Sequence, residues 1–172
     1  MKRIHTKKLV FSALFTALTV IFTMFIRLPL PMGYVHLGDG FIFLSVFILG
    51  PVYGTISAGF GSMLADLFGY PLYAPATLIV KALTALGAYA IYALFMKLTK
   101  KSLPSEILSG VVGSLITALG YFLYEALFLT TMSVALINIP WNLLQGAVGT
   151  AVAVVTMRIL TATKLLDALQ RK

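Results

Sequence analysis

Long apolar runs dominate the chain, and proline, glycine or short polar segments break them at intervals. A helix of about 20 apolar residues crosses the hydrocarbon core of a bilayer. The pattern predicts an all-α integral membrane protein: a single membrane domain over residues 1–172, built as a bundle of six transmembrane helices. The predicted spans are residues 7–27, 36–49, 52–68, 75–98, 104–131 and 138–163.

Prolines and polar residues set the predicted boundaries. Pro29 and Pro31 end the first span, and Asn138-Ile139-Pro140 is interpreted as an N-cap followed by a proline in the first turn of the sixth. The second and third spans are short and contain several glycines. One of them is therefore expected to be tilted, broken or partly re-entrant.

Composition supports this class and excludes others. Hydrophobic residues make up 60% of the 172 residues, charged residues only 10%, and the mean hydropathy is +1.00. A soluble domain carries about 25% charged residues, so this chain could not cover a water-facing surface. With no cysteines, it has neither disulfides nor thiolate chemistry. The net charge of +8 flanks apolar runs, which indicates topology and contact with the bilayer surface rather than nucleic-acid binding.

The basic residues sort to one side of the predicted membrane. Of 13 Lys and Arg residues, only Arg27 and Lys81 fall in the opposite half, which leaves 11. Cytoplasmic flanks are enriched in Lys and Arg, so both termini are predicted to be cytoplasmic. An even number of spans agrees with this, because it puts both termini on one side. The expected location is a cell membrane, as a multi-pass protein of a prokaryotic plasma membrane. The 11 are Lys2, Arg3, Lys7, Lys8, Lys97, Lys100, Lys101, Arg158, Lys164, Arg171 and Lys172.

Polar and aromatic side chains gather in the predicted outward half. Trp141 lies among amides at helical spacing, and an aromatic ring with amides on one face can stack a flat heterocycle and bond its edge. Charged residues in or beside spans are costly, which favours a functional role. The predicted substrate-binding residues are Tyr34, His36, Asp39, Lys81, Tyr121, Tyr124, Glu125, Asn138, Trp141, Asn142 and Gln145.

Structural roles for the same residues stay open at this point. Lys81 could extend to the membrane surface or pair with Asp66, and Glu125 could pair with Lys81. His36 and Asp39 could cap the second helix, with Asp39 near its positive end. Tyr and Trp at a membrane interface are commonly belt residues.

Enzymatic functions find little support. The segment Leu37-Gly38-Asp39-Gly40 is similar to an aspartyl intramembrane protease element, but His36 occupies the position of its first glycine. The chain has no Gly-x-Ser-x-Gly element and no phosphate-binding loop. One of its two histidines lies in the basic tail. We therefore expect no catalytic residue, no metal site, no cofactor and no ATPase activity of its own.

The chain resembles the substrate-binding S components of energy-coupling factor (ECF) vitamin transporters. The resemblance rests on residues 35–41, 49–51, 61–67, 73–77 and 138–145, and it is greatest to the branch that includes hydroxymethylpyrimidine-type and pyridoxine-type S components. It implies capture of a small water-soluble vitamin or precursor from outside, with the first loop acting as a lid. It also implies a scaffold transmembrane subunit and two ATP-binding cassette ATPases as partners.

Small residues on the first helix suggest where such a partner docks. Ala13 and Ala17 are four residues apart and share one helix face, where small side chains allow close helix approach. They match the Ala-x-x-x-Ala element by which S components meet the scaffold subunit. The alternative function is a non-transporting membrane scaffold or assembly protein, which would need no outward polar pocket.

Overall fold

The structure is a computed structural model that describes the backbone of residues 2–30 and 33–165 and the side chains of residues 6–29 and 35–165. Within those residues the chain forms six α-helices, a two-stranded hairpin and a short π-helix. The helices are α1 (Lys2–Met24), α2 (Gly38–Leu49), α3 (Pro51–Gly69), α4 (Ala74–Thr99), α5 (Ser102–Tyr124) and α6 (Met132–Ala162). The π-helix Glu125–Leu129 extends α5 by one wide turn.

Four of the helical segments are long and apolar enough to cross a membrane: Thr6–Met24, Ala74–Thr99, Ser102–Leu129 and Met132–Ala162. Helix α2 has only 12 residues, and ten of them are buried. It packs against α1, α3, α4 and α6, so the other helices enclose it. Phe43, Ile42 and Val46 of α2 are at most 1% exposed and form the centre of the hydrophobic core. The prediction of an all-α, six-helix membrane fold is therefore confirmed.

A β-hairpin replaces the predicted first loop. Strands β1 (Arg27–Leu30) and β2 (Gly33–His36) pair antiparallel, with Arg27 opposite His36. A proline at an edge strand is tolerated because its missing N–H can face away from the partner strand, so Pro29 does not prevent pairing. We call the end of the bundle that carries this hairpin the hairpin end, and the opposite end the basic end.

Helix α6 begins six residues earlier than predicted. Thr131 is its N-cap, and its side chain accepts a hydrogen bond from the backbone N–H of Val134. Asn138 and Pro140 therefore lie inside the helix, and the prediction of an N-cap at Asn138 was wrong. The early start brings Asn138 beside the π-helix at the end of α5.

Cysteine labelling can test which end of the bundle faces outward. Leu72, in the α3–α4 connection at the hairpin end, is 73% exposed, and Thr99 is exposed at the basic end. In this cysteine-free chain, we expect a membrane-impermeant maleimide added to intact cells to label Leu72→Cys and not Thr99→Cys. Disrupted cells provide the control, because both positions should then react. Labelling of Thr99→Cys and not Leu72→Cys in intact cells would show that the basic end faces outward, which is opposite to the prediction.

Candidate functional site

A cavity opens at the hairpin end between the helices and strand β2. It encloses about 610 Å³ of empty space, including its mouth. Its wall brings together many of the predicted site residues: His36, Lys81, Tyr121, Glu125, Asn138, Trp141, Asn142 and Gln145. Residues that sequence reasoning did not select also line it: Thr23, Val35, Ser62, Asp66, Tyr70, Tyr73 and Thr77. The side chain of Tyr34 lies outside the described residues.

Lys81 forms a buried ion pair beneath the cavity. Its Nζ atom lies 2.7 Å from Oδ1 and 3.0 Å from Oδ2 of Asp39, and both side chains are 1% exposed. The predicted alternatives for Lys81, namely a pair with Asp66, a pair with Glu125 or extension to the membrane surface, were therefore wrong. Asp39 belongs to this pair and does not line the cavity.

Gln145 links the same carboxylate to the hairpin. Its Nε2 donates to Oδ2 of Asp39 at 3.1 Å, and its Oε1 accepts from the backbone N–H of His36 at 3.3 Å. The amide can satisfy both partners in only one orientation, because the carboxylate needs a donor and the N–H needs an acceptor. One N–H of the amide is left for a ligand.

His36 is held as a neutral ring at the end of β2. The backbone N–H of Gly38 donates to its Nδ1 at 3.0 Å, so the neutral ring carries its proton on Nε2. A positively charged ring would lose this hydrogen bond, because both of its nitrogens would then be donors. The imidazole therefore adds no positive charge to the cavity at neutral pH.

Glu125 enters the cavity from the first residue of the π-helix. Its Oε2 accepts from Nδ2 of Asn138 at 2.8 Å, and its Oε1 accepts from the hydroxyl of Tyr73 at 3.3 Å. Both donors are neutral, and no described side chain forms an ion pair with it. Glu125 is only 3% exposed, so its carboxylate is almost completely buried. No cation among the described residues compensates its charge.

Tyrosines form one side of the cavity. The ring of Tyr73 lies 6.2 Å from that of Tyr121 and 6.4 Å from that of Tyr70, measured between centroids. The hydroxyl of Thr77 donates to Asp66, and the Tyr121 hydroxyl lies 2.9 Å from the same Thr77 oxygen. Since Thr77 has one proton to donate, Tyr121 is the donor in that second bond.

Tyr124 lies beside the cavity and is not among its lining residues. Its hydroxyl donates to the backbone oxygen of Leu72, and its ring packs against Tyr73 and Phe128. Trp141 does line the cavity and is 41% exposed. Of these two predicted substrate-binding residues, Trp141 thus lines the cavity, whereas Tyr124 packs against the lining residue Tyr73.

Ser62 is the residue in the cavity wall with the most unusual hydrogen bonding. It is 1% exposed, and its hydroxyl has no hydrogen-bond partner in the described part of the chain. A buried polar atom without a partner is rare and costs free energy. In the sequence Ser62 is one of the small residues that recur every four positions along α3, a pattern typical of close helix packing.

Among the described side chains, no three His, Cys, Asp or Glu residues come together as a metal site. Ala13 and Ala17 are exposed on α1, on the face away from the buried Phe15 and Thr19.

Comparisons with known proteins agree with this fold. The family model described as "ECF-type riboflavin transporter, S component" matches residues 3–162. An uncharacterized protein of Pyrococcus woesei is 37% identical over 101 residues, a region that covers 58% of this chain and 65% of that relative. A solved structure described as "Structure and mechanism of the S component of a bacterial ECF transporter" is 28% identical, with a TM-score of 0.69. The match covers 97% of this chain and 99% of the chain in that structure. The chain therefore belongs to the S components of ECF transporters, in the family described as ECF-type riboflavin transporter S components.

Proposed function

We propose that this chain is the substrate-binding subunit of an ATP-driven ECF importer and captures a small water-soluble vitamin with an aromatic heterocycle. The observation that carries the proposal is a cavity at the hairpin end that combines tyrosine and tryptophan rings with the buried carboxylate of Glu125. Small-molecule sites commonly pair aromatic walls with a few placed polar groups. A scaffold or assembly protein would have no need for such an arrangement.

The polar groups of the cavity indicate what the ligand must supply. Glu125 receives hydrogen bonds from Asn138 and Tyr73, and each carboxylate oxygen can accept more than one. A hydroxymethyl group, an amine or a protonated ring nitrogen would meet that remaining capacity. Asn142 lines the cavity together with Trp141, and in this proposal its amide binds the edge of the stacked ring.

Two ring types are the first to test. The description of the matched family makes riboflavin the first. Its tricyclic ring offers a flat face to Trp141, and its hydroxyls are the kind of donor that Glu125 can accept. The sequence resemblance to the hydroxymethylpyrimidine-type and pyridoxine-type branch makes a single pyridine or pyrimidine ring the second. Glu125 favours this second type, because a pyridine or pyrimidine ring carries a nitrogen that can be protonated and then pair with the carboxylate.

Substitution of Glu125 tests the assignment of the cavity. We expect Glu125→Gln to weaken binding of a cationic ligand by about one to two orders of magnitude, and of a neutral ligand by less. Isothermal titration of the purified variant with riboflavin, pyridoxine, pyridoxamine and hydroxymethylpyrimidine would measure this. Glu106→Gln is the matched control, because Glu106 is equally buried but pairs with Arg158 near the basic end.

The same titrations can also refute the site. Trp141→Ala should remove the stacking surface and weaken binding of every aromatic ligand. Unchanged affinity in both Glu125→Gln and Trp141→Ala would place the ligand elsewhere.

The proposed partners are a scaffold transmembrane subunit and two ATP-binding cassette ATPases. Family membership and the exposed Ala13 and Ala17 on α1 support this part of the proposal. Purification of the tagged chain from its native membrane, followed by mass spectrometry of the eluate, would identify both partners and retained ligand. Recovery of the chain with neither ATPase nor small molecule would favour the alternative of a membrane assembly protein.

A further inference from the structure

The Asp39 carboxylate is completely buried and does not touch the cavity, yet it binds two residues that do. Asp39 is 0% exposed, and its oxygens lie 2.7 Å and 3.0 Å from Nζ of Lys81 and 3.1 Å from Nε2 of Gln145. Lys81 and Gln145 both line the cavity. Any change in the charge of Asp39 would therefore reach a ligand through these two side chains.

We propose that Asp39 is a positioning residue that sets the charge preference of the cavity, by cancelling the charge of Lys81 so that anionic rings are rejected. The inference rests on the proposed function, since it requires that the cavity bind a ring of the vitamin class. It differs from a lid or ligand contact, because Asp39 acts through Lys81 and not on the ligand itself.

The charges around the cavity support this assignment. Lys81 is the one cation among the described lining residues, and both of its hydrogen bonds go to Asp39. Its third N–H stays available to a ligand acceptor, but the net charge of the pair is zero. The two carboxylates that line the cavity, Asp66 and Glu125, then determine the sign of the field that a ligand meets.

Packing fixes Asp39 in place, so the cancellation is built into the fold. Helix α6 approaches α2 so closely at Gly149 that a Cβ there would lie 2.7 Å from Cβ of Asp39 and 3.0 Å from the backbone nitrogen of Gly40. The backbone and Cβ of Asp39 are therefore held against α6, and its carboxylate is held by the hydrogen bonds from Lys81 and Gln145. A charge pair held this rigidly is preorganised before any ligand arrives.

A purely structural role for the pair makes a different prediction. Loss of a structural ion pair would weaken binding of all ligands in proportion, through loss of stability. Loss of a charge-setting residue would change the ratio of affinities for an anionic and a neutral ligand with the same ring. That ratio is the quantity to measure.

The experiment titrates the full-length chain with two matched pairs of ligands: riboflavin with flavin mononucleotide, and pyridoxine with 4-pyridoxic acid. The wild-type chain should bind the neutral member of its pair at least about tenfold more tightly than the anionic member. In Asp39→Asn the uncompensated Lys81 should shift that ratio by about tenfold or more toward the anion. The double variant Asp39→Asn/Lys81→Met should return the ratio toward the wild-type value, and Glu106→Gln should leave it unchanged.

The outcomes separate this inference from the function on which it rests. A wild-type chain that binds neither riboflavin nor pyridoxine would count against the proposed ligand class and against this inference with it. A wild-type chain that binds an anionic member as tightly as its neutral partner would overturn the inference alone, without need of a variant. An unchanged ratio in Asp39→Asn, with thermal unfolding showing that the variant is folded, would do the same.

Discussion

Ala17→Trp is expected to abolish vitamin uptake by the assembled transporter while ligand affinity of the isolated chain changes by less than about threefold. Ala17 and Ala13 are exposed on α1, and close helix contact in a membrane requires small side chains. An indole ring on that face would hold a partner helix several ångströms away. The ligand cavity is not affected, because neither alanine lines it.

Uptake of labelled vitamin by cells or proteoliposomes containing the complete complex would measure the effect, and pull-down of the scaffold subunit would locate the defect. Leu115→Trp is a suitable control, because Leu115 is 54% exposed on α5. The substitution likewise introduces a tryptophan into an apolar surface, but on a different helix. We expect Leu115→Trp to transport normally. Normal uptake by Ala17→Trp would show that the alanine face of α1 contacts lipid only.

Gly149→Ala is expected to destabilise the fold by about 3 kcal/mol, the upper range for overpacking of a core. The added Cβ would lie 2.7 Å from Cβ of Asp39 and 3.0 Å from backbone atoms of Asp39 and Gly40. Backbone cannot give way as a side chain can, so α6 must move off α2. The shift would also separate Gln145 from Asp39 and weaken ligand binding.

Unfolding of both variants in a denaturing detergent, monitored by circular dichroism, would measure the difference in their free energies of unfolding. Gly87→Ala provides the matched control on α4, because the one close contact of its new Cβ would be with the terminal Cδ1 of Ile116, a side chain that can rotate. We expect its stability to stay within about 1 kcal/mol of the wild type. Equal stability of the two variants would mean that the α2–α6 contact is looser than the structure has it.

The sequence identified the fold because hydropathy and charge are strong signals in a membrane protein. Backbone groups in lipid must be satisfied within a segment, which limits the choice to helices for runs of this length. The same reasoning failed at the first loop. Pro29 and Gly33 are turn-forming residues, and the four-residue strands beside them are too short to show a clear alternation.

The site was predicted less completely because it depends on how helices are rotated against each other. Trp141, Asn142 and Gln145 share a face that helical spacing alone reveals, and all three line the cavity. The partner of Lys81 could not be found in this way, since Asp39 is 42 residues distant and lies on another helix. Ser62 was hidden because a serine within a row of small residues looks like packing.

The brevity of α2 bears on how the protein is made. Twelve residues of helix extend about 18 Å, well short of the roughly 30 Å of hydrocarbon that a bilayer presents. A segment this short is a poor candidate for release into lipid on its own, and its polar Asp39 makes it poorer. Its neighbours α4 and α6 are synthesised later. The surroundings of α2 are therefore complete only after α6, the last of the described helices, has been synthesised.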